Sequence, residues 1–172
     1  MDYTVRAART SDVRAIRRLV DANVASGRLL DKATVTLYED IQEFLVADRA
    51  SDAQVIGCGA LHVMWEDLAE IRTIAVDESC QREGVGHLLV EALLGRAREV
   101  GVSRVFVLTF AVKFFARHGF EEISGDAAAP DVYAELLRSY DEGVAEFLDL
   151  DRVKPNTLGN SRMLLELAGG AG

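Results

Sequence analysis

A short stretch, Gln81-Arg82-Glu83-Gly84-Val85-Gly86, carries the clearest chemistry in this chain of 172 residues. It follows the run EIRTIAV at 70–76 across an acidic turn and opens into a helical pattern. Glycines at 84 and 86 remove Cβ atoms, so a ligand can approach the main chain, and the first N–H groups of the helix have no partner within it. They point outward at the positive end of the helix dipole. The result is an anion cradle over Gly84, Val85, Gly86, His87 and Leu88, suited to a diphosphate held by main-chain donors. A lone GxG that closes a loop and starts a helix means little; the strand before it and the helix after it make this one readable. The spacing is not GxGxxG and no GK[ST] follows, so a Rossmann site and nucleotide hydrolysis drop out. On the preceding strand, alternation puts Glu70, Arg72, Ile74 and Val76 on one face. A carboxylate and a guanidinium two residues apart are either each other's ion-pair partners or a base beside an anion-binding group.

The elements that must position these groups follow from hydrophobic periodicity. Residues 4–7 read as an opening strand, and Thr10-Ser11-Asp12 offers cap oxygens to a helix with Val13, Ile16, Leu19 and Val20 on one face. A helix is predicted over 34–41, then strands at 44–47, 55–64 and 70–76 in an antiparallel meander. Leu88, Leu89, Val90, Leu93, Leu94, Ala97 and Val100 recur at helical spacing up to a stop at Gly101. RVFVLT at 104–109 is a β-branched run typical of a buried central strand. A short helix at 114–117 and a strand resuming at 119–123 follow. Residues 131–148 carry an imperfect helical face interrupted by Gly143, and 163–167 form a last strand. The expected fold class is α/β (α+β), a mixed central sheet flanked by helices. It forms a single domain over 1–172 with a helical insert at about 126–150.

Composition excludes several function classes. Apolar residues make up 49% and charged residues 27%, enough for a full core. The net charge of −9 repels phosphate backbones, so nucleic acid is not an expected partner. The start MDYTVRAARTSD has no apolar signal core and no window reaches bilayer length. Two cysteines, Cys58 and Cys80, fit a reducing cytoplasm. His62 reads as a satisfied core histidine, and three histidines make no metal cluster; no metal is expected.

The cradle and its flanking elements resemble the GNAT superfamily of N-acetyltransferases, whose signature Q/R-x-x-G-x-G/A is matched by Gln81, Gly84 and Gly86. Phe114-Phe115-Ala116-Arg117-His118-Gly119-Phe120 is similar to that family's FYxxxGF segment. The resemblance covers residues 3–124. It implies that EIRTIAV splays from RVFVLT, with the pantetheine of acetyl-CoA against Ile74 and Val76. The diphosphate would then lie over Gln81, Glu83, Gly84, Val85, Gly86, His87 and Leu88. It also implies a general base at Glu70, with Glu66 and Asp67 as lesser candidates, because an ammonium must lose a proton before it attacks a thioester. The family's usual acid, a tyrosine, is replaced by Phe115; Tyr140, Tyr38, Ser161 or water are left for that role, with Tyr140 reading as a core or interface residue.

Three stretches resemble the acetyltransferase domain of bacterial N-acetylglutamate synthases, especially the short actinobacterial form without a kinase domain. They are Arg28-Leu29-Leu30-Asp31-Lys32 with Leu37-Tyr38-Glu39-Asp40-Ile41, then Phe106-Val107-Leu108-Thr109, then 154–165. This closer likeness implies acetyl transfer to the α-amine of L-glutamate, with L-glutamine as the near neighbour, in arginine biosynthesis. A dicarboxylate needs cations or hydrogen-bond donors, and Arg72, Lys32, Ser161 and Arg162 are the candidates. Lys113 and Arg117 could serve the CoA 3′-phosphate or face water. A homodimer is an open possibility. The competing readings are a GNAT enzyme acting on a cationic small molecule, which the charge of −9 would steer, a protein acetyltransferase, and an acyl-CoA-binding module without turnover.

Overall fold

The computed structural model describes residues 2–27, 29, 31–153 and 159–168. Its strands are β1 (Tyr3–Ala7), β2 (Phe44–Arg49), β3 (Val55–Trp65), β4 (Leu68–Val76), β5 (Arg104–Thr109), β6 (Glu121–Glu122) and β7 (Ser161–Glu166). The helices are α1 (Val13–Ala25), α2 (Thr34–Glu39), α3 (Val85–Val100), α4 (Val112–Ala116), α5 (Pro130–Leu136) and α6 (Glu142–Phe147). The sheet order is β1-β2-β3-β4-β5-β7-β6. β1 with β2, β2 with β3, β5 with β7 and β6 with β7 pair antiparallel, while β4 with β5 is parallel over Leu68–Glu70 against Arg104–Phe106. That ladder ends at Glu70↔Phe106 while β5 runs on to Thr109, as expected of splayed strands. The mixed sheet flanked by helices is the α/β class expected from the sequence. Arg28, Leu30 and 154–158, which carry part of the synthase resemblance, lie outside the described residues.

The chain forms two compact units, the first comprising Met1–His62 and Thr73–Arg96. The spacing of Val13, Ile16, Leu19 and Val20 turns one face of α1 onto Phe44, Val46, Cys58 and Ala60, all buried. Gly57 and Gly59 of β3 make room for α3. A Cβ on Gly57 would come 3.0 Å from Leu89 Cδ1, and one on Gly59 would come 2.5 Å from Ile74 Cδ1 and 3.0 Å from Leu93 Cδ1. Glycines inside a strand mark such close approaches.

The second unit comprises Val63–Arg72 and Ala97–Gly172. Met64, Leu68, Phe106, Leu136, Val144, Phe147 and Leu148 form its core. Phe106 and Phe147 meet edge to face at 4.9 Å between centroids. Here three local expectations shift. The helical stretch at 131–148 is two helices divided at 137–141, and Gly143 lies inside α6 rather than breaking it. The strand expected at 119–123 shrinks to Glu121 and Glu122, paired with Leu164 and Met163. The last strand starts two residues early, at Ser161, because it pairs along all of β5. In the first unit, α2 ends at Glu39, and Ile41–Glu43 tighten into a 3-10 turn.

Candidate active site

In the first unit, the turn after β4 is built by Asp77, whose carboxylate accepts from the Ser79 N–H at 3.0 Å and the Ser79 hydroxyl at 2.7 Å. The chain then passes through two left-handed residues, Arg82 (φ 68°) and Gly84 (φ 87°), before α3 begins. Such reversals of handedness gather successive N–H groups into an anion-binding concavity. Among the described residues a Cβ on Gly84 would meet nothing within 4 Å, which leaves open space over the main chain there. By helix geometry the N–H groups of Gly84, Val85 and Gly86 have no acceptor within α3. Leu88 departs from the expected cradle: its N–H donates to the Gly84 carbonyl at 3.1 Å, because it begins the helical ladder. Glu83 accepts from the hydroxyl of Tyr3, and this bond pushes the Tyr3 phenol up to about 12. Gln81 is exposed, and Ile74, Val76, Gly86 and His87 are half-buried.

The second unit holds a charged cluster. Glu70 is 3% exposed at the end of the β4–β5 ladder. Arg72 Nε lies 3.4 Å from Glu70 Oε2, and Arg72 Nη1 donates to both oxygens of Asp141 at 2.8 and 3.0 Å. Asp141 also accepts from the Val144 N–H at 2.9 Å, capping α6. From β7, Arg162 donates to the carbonyls of Phe147 at 2.7 Å and Glu146 at 3.5 Å. Its guanidinium lies over the rings of Phe106 at 5.0 Å and Phe147 at 5.6 Å. Burial draws the Arg162 pKa below its ordinary value, against the pull of Asp149, Asp126 and Glu70. Among the described residues no carboxylate comes within ion-pair distance of Arg162. The cluster thus holds a buried carboxylate beside one guanidinium, and a second guanidinium with no carboxylate at ion-pair distance among the described residues.

Not every nominated residue joins this cluster. Lys32 belongs to the first unit, where its carbonyl accepts from Arg17. Ser161 and Arg162 are consecutive on β7 and address opposite faces; Ser161 Oγ donates to Glu122 at 3.5 Å. Asp67 is taken by Arg104 at 2.8 Å, and Glu66 is exposed. Phe115 is buried against Phe114 and Phe120, while Tyr140, read as core or interface, is 99% exposed and outside the core. Lys113 and Arg117 are exposed. His62 is half-buried and bonded to Glu43 at 2.7 Å. Among the described residues no group of His, Cys, Asp and Glu could hold a metal ion.

Sequence reasoning missed three features. Thr73 adopts φ 59° inside β4, a left-handed conformation unusual for a β-branched residue. Threonine gives no sign of it in the sequence. Asp141 was not singled out from the sequence, although an aspartate ahead of an apolar run is an ordinary cap signal. Gly143 read as a helix break, whereas a Cβ there would come 2.6 Å from Arg72 Nη1.

Residues 6–120 match the model of the Acetyltransferase (GNAT) family. The chain is 59% identical over 164 residues to an amino-acid acetyltransferase of Mycobacterium tuberculosis, covering 95% of this chain and 94% of the relative. Its structure is similar to that of Rv2747 from Mycobacterium tuberculosis in complex with CoA and NLQ. That match has a TM-score of 0.93 and 58% identity, covering 96% of this chain and 99% of that one. The fold is shared with N-acetylglutamate synthase from Neisseria gonorrhoeae, complexed with coenzyme A and N-acetyl-glutamate. The TM-score is 0.77 at 23% identity, over 98% of this chain and 36% of that one. The family model, spanning most of the meander, the cradle and the central strand, and the near full-length likeness agree with the site's construction: the chain belongs to the acetyltransferase (GNAT) family.

Proposed function

We propose that this protein is an N-acetylglutamate synthase, transferring the acetyl group of acetyl-CoA to the α-amine of L-glutamate. The observation that carries the choice of acceptor is Arg162, a half-buried guanidinium on aromatic rings with no carboxylate at ion-pair distance among the described residues, in a chain of net charge −9. Such a cation suits a substrate carboxylate, which a cationic acceptor would not supply. The relative named amino-acid acetyltransferase supports the same reading. Arg72 already faces Glu70 and Asp141, so we rank it, with Lys32 and Ser161, after Arg162.

The cradle fits the diphosphate of CoA on its own geometry, since Gly84 leaves open space above main-chain donors. Acetyl-CoA supplies the thioester carbonyl. Glu70 takes the proton of the substrate ammonium, directly or through one water; the free amine then forms the N–C bond, and as the C–S bond breaks the second proton on nitrogen passes through water to the departing thiolate. The thiolate leaves without help from Phe115, which has no proton to give. L-glutamine is the second acceptor to assay. We place the activity in the cytoplasm: both cysteines are free and buried, and burial pushes the Cys58 thiol up to about 12, which keeps it inert.

The test is Arg162→Ala beside Arg162→Lys in a thiol-release assay. Losing a charge-assisted bond to a carboxylate costs about 1.5–3 kcal/mol, or about 10–150-fold in kcat/KM for glutamate, with the acetyl-CoA KM unchanged. The lysine variant should recover part of the loss. Unchanged glutamate kinetics in a folded Arg162→Ala enzyme, together with better acetylation of spermidine or an aminoglycoside, would remove glutamate as the acceptor.

A further inference from the structure

Helix α6 faces the Arg72 guanidinium with a glycine. Its backbone at Gly143 lies outside the left-handed region, so any residue could adopt it, and glycine is the poorest helix former after proline. Conformational freedom therefore does not explain it. Space does: an added Cβ would stand 2.6 Å from Arg72 Nη1, 2.9 Å from Arg72 Cζ and 3.1 Å from Asp141 Oδ1. Two residues earlier, Asp141 spends its carboxylate on both jobs at once, capping α6 through Val144 and holding Arg72 Nη1 with both oxygens. The Arg72 side chain is only 9% exposed, and its other edge lies against Glu70. One guanidinium is thus fixed between a carboxylate of β4 and a carboxylate of α6.

We propose that Asp141 and Gly143 are positioning residues for acetyl transfer: from α6 they seat the Arg72 guanidinium, and Arg72 in turn sets the placement of the Glu70 carboxylate. The inference rests on the reading of Glu70 as the base. An arginine stem is flexible, and a guanidinium held at one end only would sample several positions. A base must come within hydrogen-bond reach of the proton it takes, and displacement by about 1 Å costs about 100-fold in rate. Glu70 is faced by Arg72 on its own strand and feels the charge of Arg162 from β7, with Asp141, the cap of α6, behind Arg72.

Three variants of the full chain decide the matter: Gly143→Ala, Asp141→Asn and Glu70→Gln. Alanine favours the helix, while its Cβ must push aside a guanidinium held between two carboxylates, so Gly143→Ala should stay folded and melt at or a few degrees below the parent. Asparagine keeps the cap and loses the charge. Both should lower kcat by about 10-fold or more while the acetyl-CoA KM stays within about two-fold. The double variant should be no worse than the poorer single one, because both act through Arg72. Glu70→Gln should lose more than either. If Glu70→Gln is inactive while Gly143→Ala and Asp141→Asn keep the parent kcat, the positioning role is wrong and the base stands. A lower melting temperature with unchanged kcat in Asp141→Asn would likewise reduce Asp141 to a cap. If Glu70→Gln is as active as the parent, the base reading fails and this inference falls with it.

Discussion

Replacing Gly84 with alanine tests the cradle with one methyl group. Gly84 sits at φ 87°, where an L-residue costs about 1–2 kcal/mol. For a chain of 172 residues each kcal/mol lowers the melting temperature by about 2–4 °C, so the expected loss is about 2–8 °C. Among the described residues the methyl group meets no atom inside 4 Å, so backbone strain is the cost expected of it. A phosphate seated on the main chain would meet it. Loss of one charge-assisted bond of about 1.5–3 kcal/mol raises the acetyl-CoA KM about 10–150-fold. Gly101→Ala supplies the control. Gly101 has φ 94° and nothing within 4 Å of its own Cβ position, and it closes α3 through bonds to the Ala97 and Arg98 carbonyls at 3.2 Å. It should lower the melting temperature by a similar amount and leave the acetyl-CoA KM alone. Thermal melts with thiol-release kinetics at saturating glutamate read both quantities. If Gly84→Ala melts like Gly101→Ala and keeps the parent KM for acetyl-CoA, main-chain recognition of the cofactor is refuted.

Gly59→Ala should destabilise by about 1–3 kcal/mol, the usual cost of overpacking, because its Cβ would press on Ile74 Cδ1 at 2.5 Å and Leu93 Cδ1 at 3.0 Å; a melting temperature equal to the parent's would show that β3 and α3 part without cost. Acid should weaken the fold through Asp12. Hydrogen bonds from Arg6 at 2.7 and 3.1 Å, with the Arg9 N–H, hold its carboxyl below the usual aspartate range in the folded state. Its contribution is therefore complete above the ordinary aspartate pKa and fades as pH falls toward the lower folded value. Asp12→Asn should flatten that part of the stability–pH curve, as read by urea melts between neutral and acid pH.

Features that depend on neighbours along the chain were readable from residue order. The cradle needs only two glycines, a helix start and a strand before it, and these lie within a dozen residues. The strands and α1 and α3 follow from period and β-branching, so the mixed sheet was legible in advance. The Glu70–Arg72 pair was also visible as two charges on one strand face. What Arg72 does there was not, because its second partner, Asp141, lies 69 positions away and is brought to it by the packing of α6 in the second unit's core. The same separation hid the reason for Gly143, which reads locally as a helix break and spatially as room for a guanidinium. Arg162 looked like one cation of several until its surroundings set it apart: two aromatic rings and two carbonyls, and no carboxylate at ion-pair distance among the described residues. Thr73 shows the converse limit, since a left-handed backbone within β4 is imposed on a residue type that by local preference would be extended. Local preference and periodicity are short-range and survive in a bare sequence. The partner of a buried charge is chosen by which distant surfaces the core brings together, and that choice exists only once the chain has folded.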